Sequence, residues 1–267
     1  MGQISKLSAC LNIVTVKISI ITVCKNADIY IEQTIQSIID QTYTNIEYII
    51  IDGGSTDNTL RIINKYKERI THFLSEKDNG IADAMNKGIN LASGDYLLFI
   101  NADDYLFNEK VIEEIQEHIT DKLDLYLFQV LATYSGGIER KMLIRAPDWV
   151  TNFKMGACHQ GQLISSHLFD NNGLYDTSFK ICMDYDFILR AYRKNLRARV
   201  VNKLIAVMRQ TGVSARTDWL GLSERFSEER KAHIKNSPGC LWSLIYSGYW
   251  FFYILYRKIL FTLSINN

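Results

Sequence analysis

Residues 46–57 read IEYIIIDGGSTD. A continuous apolar run of this length, closed by glycines, marks a strand buried on both faces. The run has companions of the same kind, KISIITVC at 17–24 and DYLLFIN at 95–101, with a shorter THFLSE at 71–76. Helical signals lie between them. Ile31, Ile35, Ile38 and Ile39 fall at helical spacing within 29–39, Thr59 to Tyr66 follows with Asp57 as a cap, and Ile81 to Leu91 ends at Ser93-Gly94. Strands alternating with helices of about three turns predict an α/β fold, a mostly parallel central sheet with helices on both faces. Ligands bind such sheets beyond the carboxyl ends of the strands. Those ends carry acids here, at Asp52-Gly53-Gly54, at Glu76 to Gly80 and at Asn101-Ala102-Asp103-Asp104.

Composition narrows the classes further. The 267 residues are 47% hydrophobic, and 30 Lys and Arg against 29 Asp and Glu leave a net charge of +1. Disorder is excluded by the apolar content, and a general nucleic-acid binder by the missing basic excess. Cys10, Cys24, Cys158, Cys182 and Cys240 are scattered without a CxxC pair, which points to free thiols in a reducing compartment. The start, MGQISKLSACLNIVTV, lacks the apolar run of a signal peptide, and Lys6 stands where a myristoylation pattern wants Ser or Thr. The spacing after Asp52 fits neither GxGxxG nor GxxxxGK[ST], so a dinucleotide fingerprint and a P-loop are both disfavoured. Pro147 and Pro238, the only prolines, mark breaks between the first half, a second half and a C-terminal appendage.

The acids admit bland and chemical readings. Asp52 is either a turn residue or an acceptor of hydrogen bonds from a nucleotide, with Gly53 and Gly54 permitting close approach. Asp103 and Asp104, adjacent after a buried strand, repel one another unless a cation sits there. A hard divalent ion bridging to substrate phosphates meets that need better than a solvated turn capping a helix at Glu109 to Ile119. Asp184 and Asp186 open a helix, where acids ordinarily serve the dipole; a general base is the sharper alternative. Cys158-His159 has the makings of a thiol nucleophile, but neighbours on a strand face opposite ways.

Together these residues resemble the family 2 inverting glycosyltransferases, which have the GT-A fold, and within them the bacterial subgroup building O-antigen and capsular polysaccharide. SIIDQTYTNIEYIIIDGGSTDNT (37–59), SEKDNGIADAMNKGINLASGDYLLFINADD (75–104) and HQGQLISSHLFDNNGLYDTSFKICMDYDFILR (159–190) carry the likeness, which runs from Lys17 to Ser214. Two departures stand out. Asn101 occupies the first position of the family's Asp-x-Asp metal motif, and Met183 precedes Asp184 where the family has Glu-Asp. The resemblance implies a nucleoside-diphosphate sugar donor, a UDP-sugar, with Thr22, Asp52 and Asp83 around the base. It implies Asp103, helped by Asp104 and Asn101, as the holder of Mg²⁺ or Mn²⁺ on the diphosphate. Asp184 matches the base that activates the acceptor hydroxyl, and His159, Gln160 and Asp186 fall on the acceptor side. The acceptor implied is a lipid-linked saccharide. The domain plan that follows is one catalytic domain at 17–218, split into a nucleotide-sugar half (17–115) and an acceptor half (116–218), then a helical segment at 219–267.

Two other readings stay open. A sugar nucleotidyltransferase also uses metal and carboxylates, although CKNADIY (24–30) lacks that class's Gly-rich basic loop. A non-catalytic nucleotide-binding scaffold is the second.

Two local features remain. From Arg190 to Arg216 no acid interrupts a series of Arg and Lys, which suits either a solvated helix face and edge strand or a surface for a lipid diphosphate or membrane headgroups. Leu241 to Tyr256, LWSLIYSGYWFFYILY, then meets Arg257 and Lys258. It is shorter than the ~20 residues of a span but suits a membrane interface, or else packs on the body or a second subunit. The expected location is the cytoplasmic face of the inner membrane.

Overall fold

The computed structural model describes residues 15–134, 136–210 and 216–265. The readings made on the first residues, including Cys10 and Lys6, lie outside the described residues. Among the described residues one sheet of nine strands organises the chain, in the order β3-β2-β1-β4-β8-β6-β9-β5, with β7 (Glu139–Lys141) pairing to β6. Strands β1 (Ile18–Cys24), β2 (Ile46–Asp52), β3 (His72–Ser75) and β4 (Tyr96–Phe99) are mutually parallel. Every residue of β1 is buried, as its unbroken apolar run requires. Ile18 and Ile20 face one core with α1 (Ile31–Ile39) and α2 (Thr59–Lys65), while Ile21 and Val23 face another with α3 (Ile81–Leu91). This alternation along one strand is how a single run supplies both layers.

Beyond β4 the sheet is mixed rather than mostly parallel. β8 (Gln162–Ser165) runs antiparallel to both β4 and β6 (Leu125–Thr133). β9 (Ala198–Arg209) lies parallel to β6, and β5 (Tyr105–Leu106) antiparallel to β9. β9 is therefore interior, not an edge strand, and its basic residues have internal work. Arg197 pairs with Asp124, Arg199 with Asp121 and Lys203 with Glu114. Arg209 lies over the rings of Tyr30 and Tyr105 and donates to the Asp103 carbonyl. Several bases of the acid-free run thus have carboxylate partners far away in sequence, although Arg197, Arg199 and Lys203 stay partly exposed.

Other expectations shift more modestly. The helix anticipated at Glu109 to Ile119 contracts to α4 (Val111–Gln116). Asp57 accepts from the Thr59 backbone at 3.0 Å, one residue ahead of the structural cap Asn58. Cys158 and His159 are not on a strand; His159 to Gly161 form a 3-10 turn that Cys158 caps.

After α5 (Ser166–Asn172) and α6 (Met183–Tyr192), the chain adds α7 (Trp219–Lys235) and α8 (Cys240–Ile265). Tyr246 and Trp250 of α8 are buried against Phe226 of α7. The opposite face of α8 presents Leu244, Phe251, Phe252 and Leu255 to solvent, Phe252 at 69% exposure. Among the described residues, no helix is long and apolar enough to cross a membrane.

Candidate active site

A cleft of about 710 Å³ opens at the carboxyl end of the parallel strands. The segment after β4 contributes Asn101, Asp103 and Asp104; the turn before β8 contributes His159 and Gln160; the first turn of α6 contributes Asp184. These three chain segments are the ones whose acids and HQ pair stood out in the sequence, and the sheet order places them side by side.

The polar groups of the cleft form a connected series. The Asn101 amide nitrogen donates to His159 Nε2 at 2.9 Å, which leaves the hydrogen on Nδ1. Nδ1 faces Asp184 Oδ2 at 3.8 Å, and the two side chains are 18% and 19% exposed. The other carboxylate oxygen of Asp184 accepts from the Tyr185 backbone at 2.8 Å. One oxygen is thereby tied to the helix end and the other turned to the cleft. The amide oxygen of Asn101 is buried and, among the described residues, has no hydrogen-bond partner.

Asp104 behaves unlike its neighbour. It is 1% exposed, and its two oxygens accept from the Gln160 side chain (2.7 Å) and the Arg209 backbone (3.0 Å). Burial, reinforced by the Asp103 charge, pushes its carboxyl up to about 7. It acts as the knot joining the β4, β8 and β9 ends, not as the open metal ligand expected of it. Gln160 donates its amide N–H to Asp104, and among the described residues its amide oxygen has no partner.

Asp186 is a clearer correction. It is fully buried, with Oδ2 at 3.0 Å from Arg190 and 3.1 Å from Lys235, and with Asn236 donating to Oδ1. Two residues of helix turn it about 200° from Asp184, so it cannot share the cleft.

The residues expected around the nucleotide base are not among those lining this cleft. Thr22 is buried in β1 beneath the Tyr48 hydroxyl. Asp52, also fully buried, accepts from the backbone of Gly54 and Ser55 and from the hydroxyls of Ser55 and Ser75. It shapes the loop after β2, where a Cβ on Gly53 would come within 2.0 Å of Asp78. Asp83 accepts from the Asn79 backbone and sits 3.5 Å from Lys87. Asp83 holds the Asp78-Asn79-Gly80 turn, whose Asn79 and Gly80 do line the cleft.

Cys158 offers the cleft no ready thiolate. Burial pushes the Cys158 thiol up to about 12, far from a thiolate at neutral pH. Among the described residues, no three His, Cys, Asp or Glu side chains gather into a preformed metal cage. Sequence reading missed Arg209 as part of the cleft; its ring and carbonyl partners lie on distant elements and leave no local signal.

The model of the family described as "Glycosyl transferase family 2" matches residues 19–194. The chain belongs to that family. A mycobacterial "PGL/p-HBAD biosynthesis glycosyltransferase", from Mycobacterium bovis strain BCG, is 32% identical over 184 residues, covering 65% of this chain and 69% of the relative. An uncharacterized glycosyltransferase of Haemophilus influenzae is 38% identical over 118 residues, 42% of this chain and 47% of that one. Among solved structures, TarS (residues 1–349) of S. aureus with UDP-GlcNAc aligns at a TM-score of 0.64 and 19% identity, over 82% of this chain and 71% of TarS. A Pyrobaculum calidifontis mannosyltransferase with GDP-Man and Mn²⁺ aligns at 0.63 and 15% identity, over 88% and 70%. The fold is that of GT-A transferases, and the chain is a glycosyltransferase. The sugar nucleotidyltransferase reading gives way to it.

Proposed function

We propose that this glycosyltransferase moves a sugar from a UDP-sugar to an acceptor hydroxyl with inversion, using Asp184 as general base. The observation that carries the reading is the placement of Asp184 Oδ2, open to the cleft and facing His159, across from Asn101 and Asp103. Its carboxylate would take the acceptor proton as the oxygen attacks the anomeric carbon, while the nucleotide leaves on the opposite side. His159, held by Asn101, turns its Nδ1–H toward Asp184 and would keep that carboxylate oriented as it takes up the proton. The loops closed by Asp52 and Asp83 would seat the nucleotide, with Thr22 beneath them. The TarS complex with UDP-GlcNAc supports the UDP assignment.

The donor set suits Mg²⁺ or Mn²⁺. Asn101 offers a buried oxygen that has no partner among the described residues, and Asp103 a carboxylate in the same cleft, both hard oxygen ligands. A divalent ion usually takes one or two such ligands plus substrate phosphates, so three protein acids are not needed. Bound there, it would neutralise the charge developing on the leaving diphosphate.

For the acceptor, the far wall of the cleft is apolar, with Met142, Met155, Phe179, Ile181 and Met208. Next to Met155, Lys154 and Arg257 border a second groove with Tyr253 and Tyr256. Cations beside aromatics and an exposed apolar helix face suit a lipid-linked saccharide at a membrane surface, on its cytoplasmic face. From Arg230 to Asn267 the sequence holds no acid that would repel anionic lipids. On this reading residues 17–115 form the donor half, 116–218 the acceptor half, and 219–267 the membrane-facing segment.

A panel of UDP-sugars, scored for UDP release with and without Mn²⁺, tests the donor assignment. One sugar should be turned over, and EDTA should suppress it. Release from GDP-sugars alone would overturn the UDP reading, and no release from any donor would favour the binding-scaffold reading.

A further inference from the structure

The family match ends at residue 194, yet the loop that delivers Asp184 is closed by a residue of α7. Glu228 reaches across and accepts from three successive backbone N–H groups, Lys180 at 2.7 Å, Ile181 at 2.7 Å and Cys182 at 2.9 Å. These residues lead directly into α6, whose first turn bears Asp184. Such donors at a helix start otherwise need capping, and Cys182 supplies no side-chain cap. A carboxylate bound by several backbone amides holds its partner segment strongly.

A second chain of bonds reaches the same turn. Trp250 of α8 donates to His233 Nδ1 at 2.8 Å; the indole is only a donor, so the imidazole hydrogen sits on Nε2. His233 Nε2 then donates to the Tyr185 hydroxyl at 2.7 Å, which donates to the Thr151 carbonyl at 2.9 Å. Every donor meets an acceptor, and all three side chains are buried. Tyr185 is the residue after Asp184, and its own N–H already holds Asp184 Oδ1.

We infer that Glu228 and Tyr185 are positioning residues for the base, so that α7 and α8 are working parts of the active site. The inference rests on the assignment of Asp184 as the base. Glu228 sets where the α6 entrance lies, and the Trp250–His233–Tyr185 chain sets its rotation. A displacement of about 1 Å at the reacting atoms can cost 10²-fold in rate.

The test uses the full chain with Glu228→Gln, Tyr185→Phe and Asp184→Asn, assayed for kcat, donor KM, UDP binding and amide exchange at 180–185. Glu228→Gln keeps one acceptor oxygen and sets an NH₂ against the loop amides; Tyr185→Phe removes only the hydroxyl. The expected result is a fall in kcat of about 10- to 100-fold in both, with donor KM and UDP affinity within twofold of wild type. Faster exchange at the loop should accompany Glu228→Gln. If Glu228→Gln does not fold, Tyr185→Phe decides by the same kcat-against-KM split. Full kcat in these variants beside an inactive Asp184→Asn overturns the positioning role alone. Turnover retained by Asp184→Asn overturns the base assignment, and the positioning role with it.

Discussion

Asp184 and Asp186 stand two residues apart on the first turn of α6, and the fold gives them opposite fates. Asp184 is partly exposed, and among the described residues no Lys or Arg lies within ion-pair distance of it. Asp186 is sealed from water between Arg190 and Lys235, with Asn236 on its second oxygen. A carboxylate reached by substrate and not locked by a cation can take up a proton. One clamped by two cations holds helices together. Residue type and neighbourhood in sequence are the same; the helical rotation between them decides the chemistry.

The largest effect should come from the exposed member. Asp184→Asn should bind UDP normally and lose transfer by about 10²-fold or more, since the amide cannot accept the proton. Near-normal turnover would erase the distinction. Asp186→Asn should leave donor KM unchanged but destabilise the fold by roughly 1.5–3 kcal/mol, because Arg190 loses its carboxylate while Lys235 keeps Asp176. At roughly 2–4 °C per kcal/mol for a chain of this size, thermal melting would show it clearly. If Asp186→Asn melts like wild type while kcat collapses, the two roles have been assigned the wrong way round.

A smaller effect sharpens the structural side of the contrast. His233 packs against Tyr185 of α6, Tyr246 and Trp250 of α8, with the Arg193 guanidinium nearby. Burial, with Arg193 adding to it, lowers its pKa to about 4 from 6.5. Between these values the unfolded chain binds the proton and the folded one does not. Stability attributable to His233 therefore falls as pH drops from 6.5 toward 4, by roughly 1.4 kcal/mol per unit. Urea midpoints at pH 7 and pH 4.5 should differ more for wild type than for His233→Gln; equal differences would remove His233 as the source. The smallest stability change belongs to the open face of α8. Phe252→Ser should shift folding by about 0.5 kcal/mol or less, as exposed substitutions do, while weakening binding to anionic vesicles. Unchanged vesicle binding would count against the membrane-facing reading.

How much of this was legible in the sequence follows from the range of the forces involved. β1 and β2 announce themselves because a strand buried on both faces must be apolar throughout, and the acids at their ends stand out against that background. Asp103 and Asp184 stood out for the same reason, beside a buried strand and at a helix start. The mixed half was not legible, because β9 has an irregular burial pattern and many of its polar residues find partners far away. Arg209 meets Asp104 across 105 residues, and Glu228 meets Lys180 across 48. Nothing local in sequence predicts such pairings. The same blindness made Asp104 look like an open ligand when it is a buried tie, and hid the distant carboxylates that pair with Arg197, Arg199 and Lys203.

The reach of α7 back to the loop before α6 also bears on how the molecule is made. A chain leaves the ribosome from its N-terminus at about 5–20 residues per second. Everything the family motif spans can emerge while Lys180, Ile181 and Cys182 still lack Glu228, and Asp186 still lacks Lys235 and Asn236. The recognisable catalytic half is therefore complete in motif before it is complete in contacts. Its last ties form only once α7 has been synthesised, so the candidate site acquires its finished form late.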